Sequence, residues 1–295
     1  MITEEMKKQI VAAIEANRSK YASDARFAIA LGINAAQFSS VRRGKLDRIL
    51  SDTNWISIAR RLDVQLGARQ EWKTAKTPVY IYIYNQLKEC QDNSQSGLLC
   101  DRADVGKTYT ARCYVKENRN AVYIDCSQVK SKQKLIRQIA REFGISHSGR
   151  YSDVYEDLVY YLRTLSSPLV ILDEAGDLDY AAFLELKALW NATEFVCGWY
   201  MMGADGLKTK IEEHMGRKKV GYEELFSRFG KRFLKITPDG TEAWDDFARA
   251  QVALIARANC PDADVKKIYH NTGGSLRRIP VELSKMDKDI KAHAE

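Results

Sequence analysis

Two stretches of this chain carry the residue types that handle phosphate and a hard cation. The first is Asp101-Arg102-Ala103-Asp104-Val105-Gly106-Lys107-Thr108, which follows a short apolar run and opens a helical pattern. A phosphate-binding loop needs both neighbours. Its backbone N–H groups and helix N-terminus face the phosphates, a lysine neutralises the β and γ oxygens, and a hydroxyl ligates Mg²⁺. Lys107 and Thr108 stand at the last two positions, and Asp104, Val105, Gly106 and Tyr109 complete the cradle. The pattern G-x-x-x-x-G-K-[ST] asks for glycine where Asp101 stands. A carboxylate there faces polyphosphate unless it is turned away, which predicts weakened affinity.

The second stretch is Leu169-Val170-Ile171-Leu172-Asp173-Glu174, an apolar strand ending in two acids. A neighbouring strand delivers the metal-holding carboxylate in this way. Asp173 is expected to hold Mg²⁺, usually through water, and Glu174 to polarise the attacking water. Each stretch alone has a plainer reading. Gly106 could be a helix-entry glycine beside a solvated lysine, and the two acids could start a solvated loop. Together they predict ATP and Mg²⁺ as cofactors.

The elements that must position these residues are legible as short apolar runs separated by helical patterns. Runs at 97–100, 121–126, 169–172, 199–202 and 233–236 read as buried strands of a parallel sheet. Helical patterns lie between them at 107–117, 131–143, 152–164 and 180–194. That alternation predicts an α/β doubly wound fold with a five-stranded parallel sheet. Val79 to Tyr84 alternates like a strand, but Val79, Ile83 and Leu87 also share a helix face, and helix is favoured. After Asp239 only helical patterns remain, which predicts a helical lid.

Ahead of the sheet, helical patterns cover Glu4 to Asn17, Ser23 to Leu31, Ala35 to Val41 and Asn54 to Leu62, with a turn at Gly32-Ile33-Asn34. Helix, glycine turn and helix make a helix-turn-helix. The expected organisation is a helix-turn-helix domain over 1–66, a linker over 67–78, an α/β core over 79–240 and a helical lid over 241–295.

The six cysteines and four histidines are scattered without metal-ligand spacing, so no transition metal is expected. No apolar stretch is long enough to span a bilayer, and the charged N-terminus lacks a signal-peptide core. A cytoplasmic protein without a membrane role is the expectation. The formal net charge is +7, and residues 1–66 carry eleven Lys/Arg against seven Asp/Glu. An anionic polymer becomes a plausible partner.

With GKT at 106–108 and LDEA at 172–175, the chain resembles the AAA+ P-loop ATPases. The helix-turn-helix at Asp24 to Lys45 and the short helical lid narrow the resemblance to the DNA transposition ATPases of that class. It covers most of the chain. By this resemblance Arg228, in Leu225-Phe226-Ser227-Arg228-Phe229, reaches the γ-phosphate held by the next subunit, with Arg232 in reserve. Gly273-Gly274-Ser275-Leu276-Arg277-Arg278 resembles the sensor-2 segment, whose arginine points back at the nucleotide. The competing reading there is Ser275 as a plain helix cap before exposed arginines. Gly203-Ala204-Asp205 stands where sensor 1 is normally Asn, Thr or Ser, which implies slow or partner-dependent hydrolysis.

Two surfaces compete for DNA. On the N-terminal helices, Gln37 could face a groove while Arg42 and Arg43 meet phosphate; a protein-docking domain is the alternative. In the core, Lys130, Lys132 and Lys134, supported by Arg150, would contact the backbone without sequence preference; a solvated charged face is the alternative. The resemblance implies a homo-oligomer, ring or helical filament, that assembles on double-stranded DNA and presents it to a transposase. A nucleotide-switched, sequence-specific regulator and a replication helicase loader are the other two readings.

Overall fold

The computed structural model describes residues 2–64, 66 and 72–292. Residues 67–71 of the expected linker and 293–295 of the expected lid lie outside the described residues.

Four strands, β1 (Ser96–Cys100), β2 (Ala121–Asp125), β3 (Leu169–Asp173) and β4 (Gly198–Gly203), form a parallel sheet in the order β1-β4-β3-β2. The register pairs Cys100 with Gly203 and Asp125 with Asp173, so the C-terminal ends of the strands share one edge. Alternate side chains enter two separate cores, as the pleat requires. Val122, Ile124, Val170, Leu172, Trp199 and Met201 pack against α7 (Lys132–Glu142), α8 (Tyr151–Thr164) and α9 (Tyr180–Ala192), with α10 (Asp205–Gly216) and α11 (Tyr222–Arg228) beyond. Leu99, Ile171, Tyr200 and Met202 face α5 (Pro78–Asp92) and α6 (Lys107–Glu117).

The expected fifth strand is corrected to a single bridge. Leu234 pairs with Leu99, donating its N–H to Leu98 O at 2.8 Å and accepting from Cys100 N at 3.0 Å. Beyond it the ladder stops, because the N–H groups of Ile236 and Thr237 donate to the Asp101 carboxylate at 2.7 and 2.9 Å. A side chain has taken the donors that a continuing strand would share with backbone.

The 79–84 segment is helical. Thr77 caps α5 by accepting from Tyr80 N at 3.2 Å, and Pro78 supplies a preset φ in the first turn. This helix lies hard against β4: a Cβ at Gly198 would stand 2.3 Å from Cys90 O, so only glycine fits.

Four N-terminal helices, α1 (Glu4–Asn17), α2 (Asp24–Leu31), α3 (Ala35–Arg42) and α4 (Asp52–Arg61), enclose their own apolar cluster, with Ile10, Phe27, Phe38, Trp55 and Ile58 at its centre. Ser23 caps α2 and Gly32, at φ +75°, ends it. The cluster leans on the core through α2, where Arg26 lies 3.9 Å from the Tyr161 ring centroid. After the sheet, α12 (Thr241–Asn259), α13 (Val265–Thr272) and α14 (Ile279–Ala292) bury Val252, Ala256, Ile268 and Ile279 together. No helix among the described residues is long and apolar enough to cross a membrane.

Candidate active site

Strand β1 ends at Cys100, and the chain loops through 101–106 before α6 starts at Lys107. Gly106 takes φ +101°, a conformation open to glycine, which lets the helix begin under the loop. Val105 is buried and pins the loop to the α5/α6 core. The Lys107 ammonium donates to Asp101 O at 2.8 Å and Arg102 O at 2.6 Å. Burial lowers its pKa, opposed by the charges of Asp101, Asp173 and Glu174.

Asp173, at the end of β3, is almost wholly buried and serves as the hub of the site. Its Oδ2 accepts from Thr108 Oγ1 at 2.6 Å and from the Tyr123 hydroxyl at 2.8 Å, while Oδ1 accepts from Glu174 N at 2.9 Å. A hydroxyl and a carboxylate in contact are hard oxygen donors of the kind that would suit Mg²⁺. Glu174 follows at φ +49°, which turns its side chain outward into solvent at the sheet edge. The desolvation its carboxyl does experience raises its pKa, and the Asp173 charge raises it further.

Asp101 is fully buried and directed away from the loop's mouth. Its carboxylate accepts from Ile236 N, Thr237 N, the Thr237 hydroxyl and Arg102 N. The acid at the glycine position therefore satisfies the backbone that follows the Leu234 bridge. The condition under which it spares the phosphates is met by this geometry.

A cleft of about 730 Å³ opens over the loop. It is walled by Ala103 to Thr110 and Glu174 on the core side, by Trp72 and Thr74 ahead of α5, and by Ile255, Leu276, Arg277 and Pro280 from the C-terminal helices. Tyr109 is tied across it, its hydroxyl 2.7 Å from Thr74 Oγ1. Sequence reasoning missed the Trp72, Thr74, Ile255, Leu276 and Pro280 contributions. They share no fixed spacing with the loop; a lone tryptophan in the polar stretch before Pro78 was the available signal.

Asp104 joins the loop to the C-terminal helices. Its carboxylate accepts from Ser275 Oγ at 2.5 Å and Arg277 N at 3.2 Å, with the Arg277 guanidinium 3.6 Å away. Ser275 thus donates to the loop and makes no side-chain cap on its own helical turn. Arg277 lines the cleft, whereas Arg278 is exposed beside it.

The remaining candidates lie elsewhere. Arg228, at the end of α11, donates to Asn191 Oδ1 at 2.7 Å and Glu224 O at 2.8 Å, outside the cleft. Arg232 is exposed just beyond it. Lys130 pairs with Asp177 at 3.1 Å, Lys132 lies over the Tyr151 ring, Lys134 is exposed on the first turns of α7, and Arg150 is exposed at the start of α8. Gln37 closes a capping box with Asn34 and donates to Ile49 O, and Arg42 pairs with Glu15 and Asp24, leaving Arg43 exposed.

Residues 88–211 match the family model described as AAA domain. The chain is 25% identical over 258 residues to the Mu-like prophage FluMu DNA transposition protein B of Haemophilus influenzae, a match covering 82% of this chain and 86% of that protein. It is 26% identical over 151 residues to the ATP-dependent target DNA activator B of Escherichia phage Mu, covering 51% of this chain and 47% of the phage protein. The same figures hold for the phage D108 activator. Against the second and third of these, then, the chain spans about half the relative's length. Among solved structures, the Orc1 protein of Aeropyrum pernix in complex with DNA aligns at 18% identity over 60% of this chain and 50% of that one, with a TM-score of 0.44. That likeness is too distant to bear on function. The AAA-domain match spans the loop of Lys107 and Thr108 and the strand of Asp173, so this segment carries an ATPase site, and the chain is similar to the transposition B proteins of Mu-like phages.

Proposed function

We propose that this ATPase assembles on double-stranded DNA in an ATP-dependent way, with little sequence preference, and presents that DNA to a transposase. One observation carries the reading: Lys107, Thr108, Asp173 and Glu174 converge at one sheet edge under a cleft of about 730 Å³. In the nucleotide-bound protein Lys107 leaves the carbonyls of Asp101 and Arg102 for the β and γ oxygens, which its charge neutralises. Thr108 and Asp173 would hold Mg²⁺, whose charge would supply the neutralisation that phosphoryl transfer needs. Glu174 accepts a proton from the attacking water, and its raised pKa suits a base that must also give the proton up.

The names of the relatives, target DNA activators that depend on ATP, support the DNA and ATP parts of the reading. Lys130, Lys132, Lys134 and Arg150 supply backbone contacts from the segments that follow β2 and precede α8. Arg228 serves the nucleotide of a neighbouring subunit, so hydrolysis needs the oligomer.

Imaging with long duplex DNA tests this. Extended coverage of DNA in ATP, lost in ADP and in the Lys107→Ala variant, is expected. One bounded footprint at a defined sequence would instead favour an operator-reading regulator. An ATP dissociation constant unchanged by Lys107→Ala would remove the site itself.

A further inference from the structure

A second cleft of about 650 Å³ lies between the N-terminal helices and the β2 edge of the sheet. Six cations line it: Lys20, Arg60 and Arg61 from the N-terminal side, Arg112 and Lys116 from α6, and Arg141 from α7. Three acids face them, namely Asp63, Asp125 and Glu142. Asp63 is taken by Lys116 at 2.7 Å. Asp125 accepts from the Ser127 N–H and hydroxyl. Glu142 accepts from Gln138 at 2.6 Å, and burial pushes its carboxyl up to about 7 against the pull of Arg141, so it offsets only part of one charge at neutral pH.

The cations are left in excess, and two of them face one point. The nearest guanidinium nitrogens of Arg61 and Arg141 stand 3.4 and 3.5 Å from the same point, where a Cβ would sit on Gly32. Two like charges facing one place repel, and an anion between or beside them relieves that repulsion. Arg61 donates to Ala30 O and Ser57 Oγ, neither of them charged. The Arg141 Nε–H is buried with no hydrogen-bond partner among the described residues, an arrangement that costs free energy until an acceptor arrives. Lys20, half-buried here, is drawn down to about 8 by burial and by the charge of Lys116. Guanidinium forks match phosphate oxygens in geometry as well as charge.

We propose that this cleft is a second anion site, distinct from the nucleotide cleft, that takes a compact multiply charged phosphate ligand such as pyrophosphate or a nucleoside phosphate. A cleft of this size encloses a small anion, whereas a duplex would meet only its rim. The site also has a route to the reaction centre. Arg112 lines both clefts and lies 5.2 Å from the ring centroid of Tyr123, whose hydroxyl holds Asp173. The inference does not rest on the assembly of the protein on DNA.

Calorimetric titration of inorganic pyrophosphate into the full chain carrying Lys107→Ala tests it, since that background disables the nucleotide loop. Saturable one-to-one binding is expected. It should weaken at least about tenfold in Arg61→Gln/Arg141→Gln and stay unchanged in Arg43→Gln, an exposed arginine outside the cleft. Lys20→Gln, a single change at a half-buried position, should weaken it about threefold and serves if the double variant does not fold. No saturable binding, or binding indifferent to these changes, overturns the proposal. So does a double variant that loses affinity for duplex DNA while keeping pyrophosphate, which would make the cleft a DNA-backbone contact.

Discussion

Asp173 is reached from two other elements, by Thr108 of α6 and Tyr123 of β2, and by the N–H of the next residue, Glu174. Gln37, by contrast, closes on Asn34 at the start of its own helix, and Arg42 is held by Glu15 and Asp24 among the N-terminal helices. At the sheet edge polar groups are drawn across elements toward one cleft. On the N-terminal helices they are folded back to fix helix ends and helix–helix geometry. Convergence between distant segments is costly to arrange, so it signals chemistry. A polar side chain that satisfies its own helix signals stability first.

The largest effect expected from this contrast is at Glu174. Glu174→Gln keeps the shape but loses the base, so turnover should fall about 10²–10⁴-fold while the ATP dissociation constant holds. Because the Glu174 pKa is raised, the acid limb of the wild-type pH–rate profile should lie above the ordinary glutamate range. The base works only when ionised, so activity is lost as pH falls through that raised value. A variant that hydrolyses ATP within a few-fold of wild type would show that convergence at this edge is structural.

Asp101 sharpens the comparison from the other side, since it sits in the loop and reaches a distant segment, yet what it does there is hold backbone. Asp101→Gly restores the usual loop pattern but leaves Ile236 N, Thr237 N and the Thr237 hydroxyl without their acceptor. A loss of about 2–4 kcal/mol is expected from a denaturant midpoint, as buried donors lose a charged partner. Unchanged stability with tighter ATP binding would mean that the carboxylate opposes phosphate after all.

The meeting of Lys107, Thr108, Asp173 and Glu174 at one sheet edge was legible because strand, loop and helix fix the spacing of Lys107 and Thr108, and an apolar strand marks where Asp173 and Glu174 emerge. Four strands and the alternating helices were legible for the same periodic reason. The 233–236 run was misjudged as a strand because nothing local reveals that Asp101, far back in the chain, claims its donors. Trp72, Ile255 and Leu276 were missed because a cleft wall built by tertiary packing leaves no spacing. The second basic cleft was likewise invisible, its cations coming from four separate segments.

The docking of the N-terminal helices on the core turns on Gly144. Its φ is +70°, and an added Cβ would meet Arg26 O at 2.3 Å. Gly144→Ala should cost about 2 kcal/mol from strain and clash together and raise hydrogen exchange in α2. Gly149 is the control, at φ +96° with nothing within 4 Å of an added Cβ, so its alanine variant should cost only about 1 kcal/mol. Equal costs at the two positions would separate the N-terminal helices from the core energetically.

The smallest effect is expected at Arg42 and is the most direct comparison of the two candidate DNA surfaces. Lys134 is exposed, so Lys134→Ala should lower the salt slope of duplex binding by about one counterion. Arg42 already spends its guanidinium on Glu15 and Asp24. Leaving both carboxylates for a phosphate would forfeit two ion pairs, each weak at an exposed site. Arg42→Ala should therefore change the slope by less than half of the Lys134 effect and leave the denaturant midpoint nearly unchanged. A full unit of slope lost at Arg42 and none at Lys134 would reverse the assignment, placing DNA on the N-terminal helices and leaving the lysines of α7 as a solvated face.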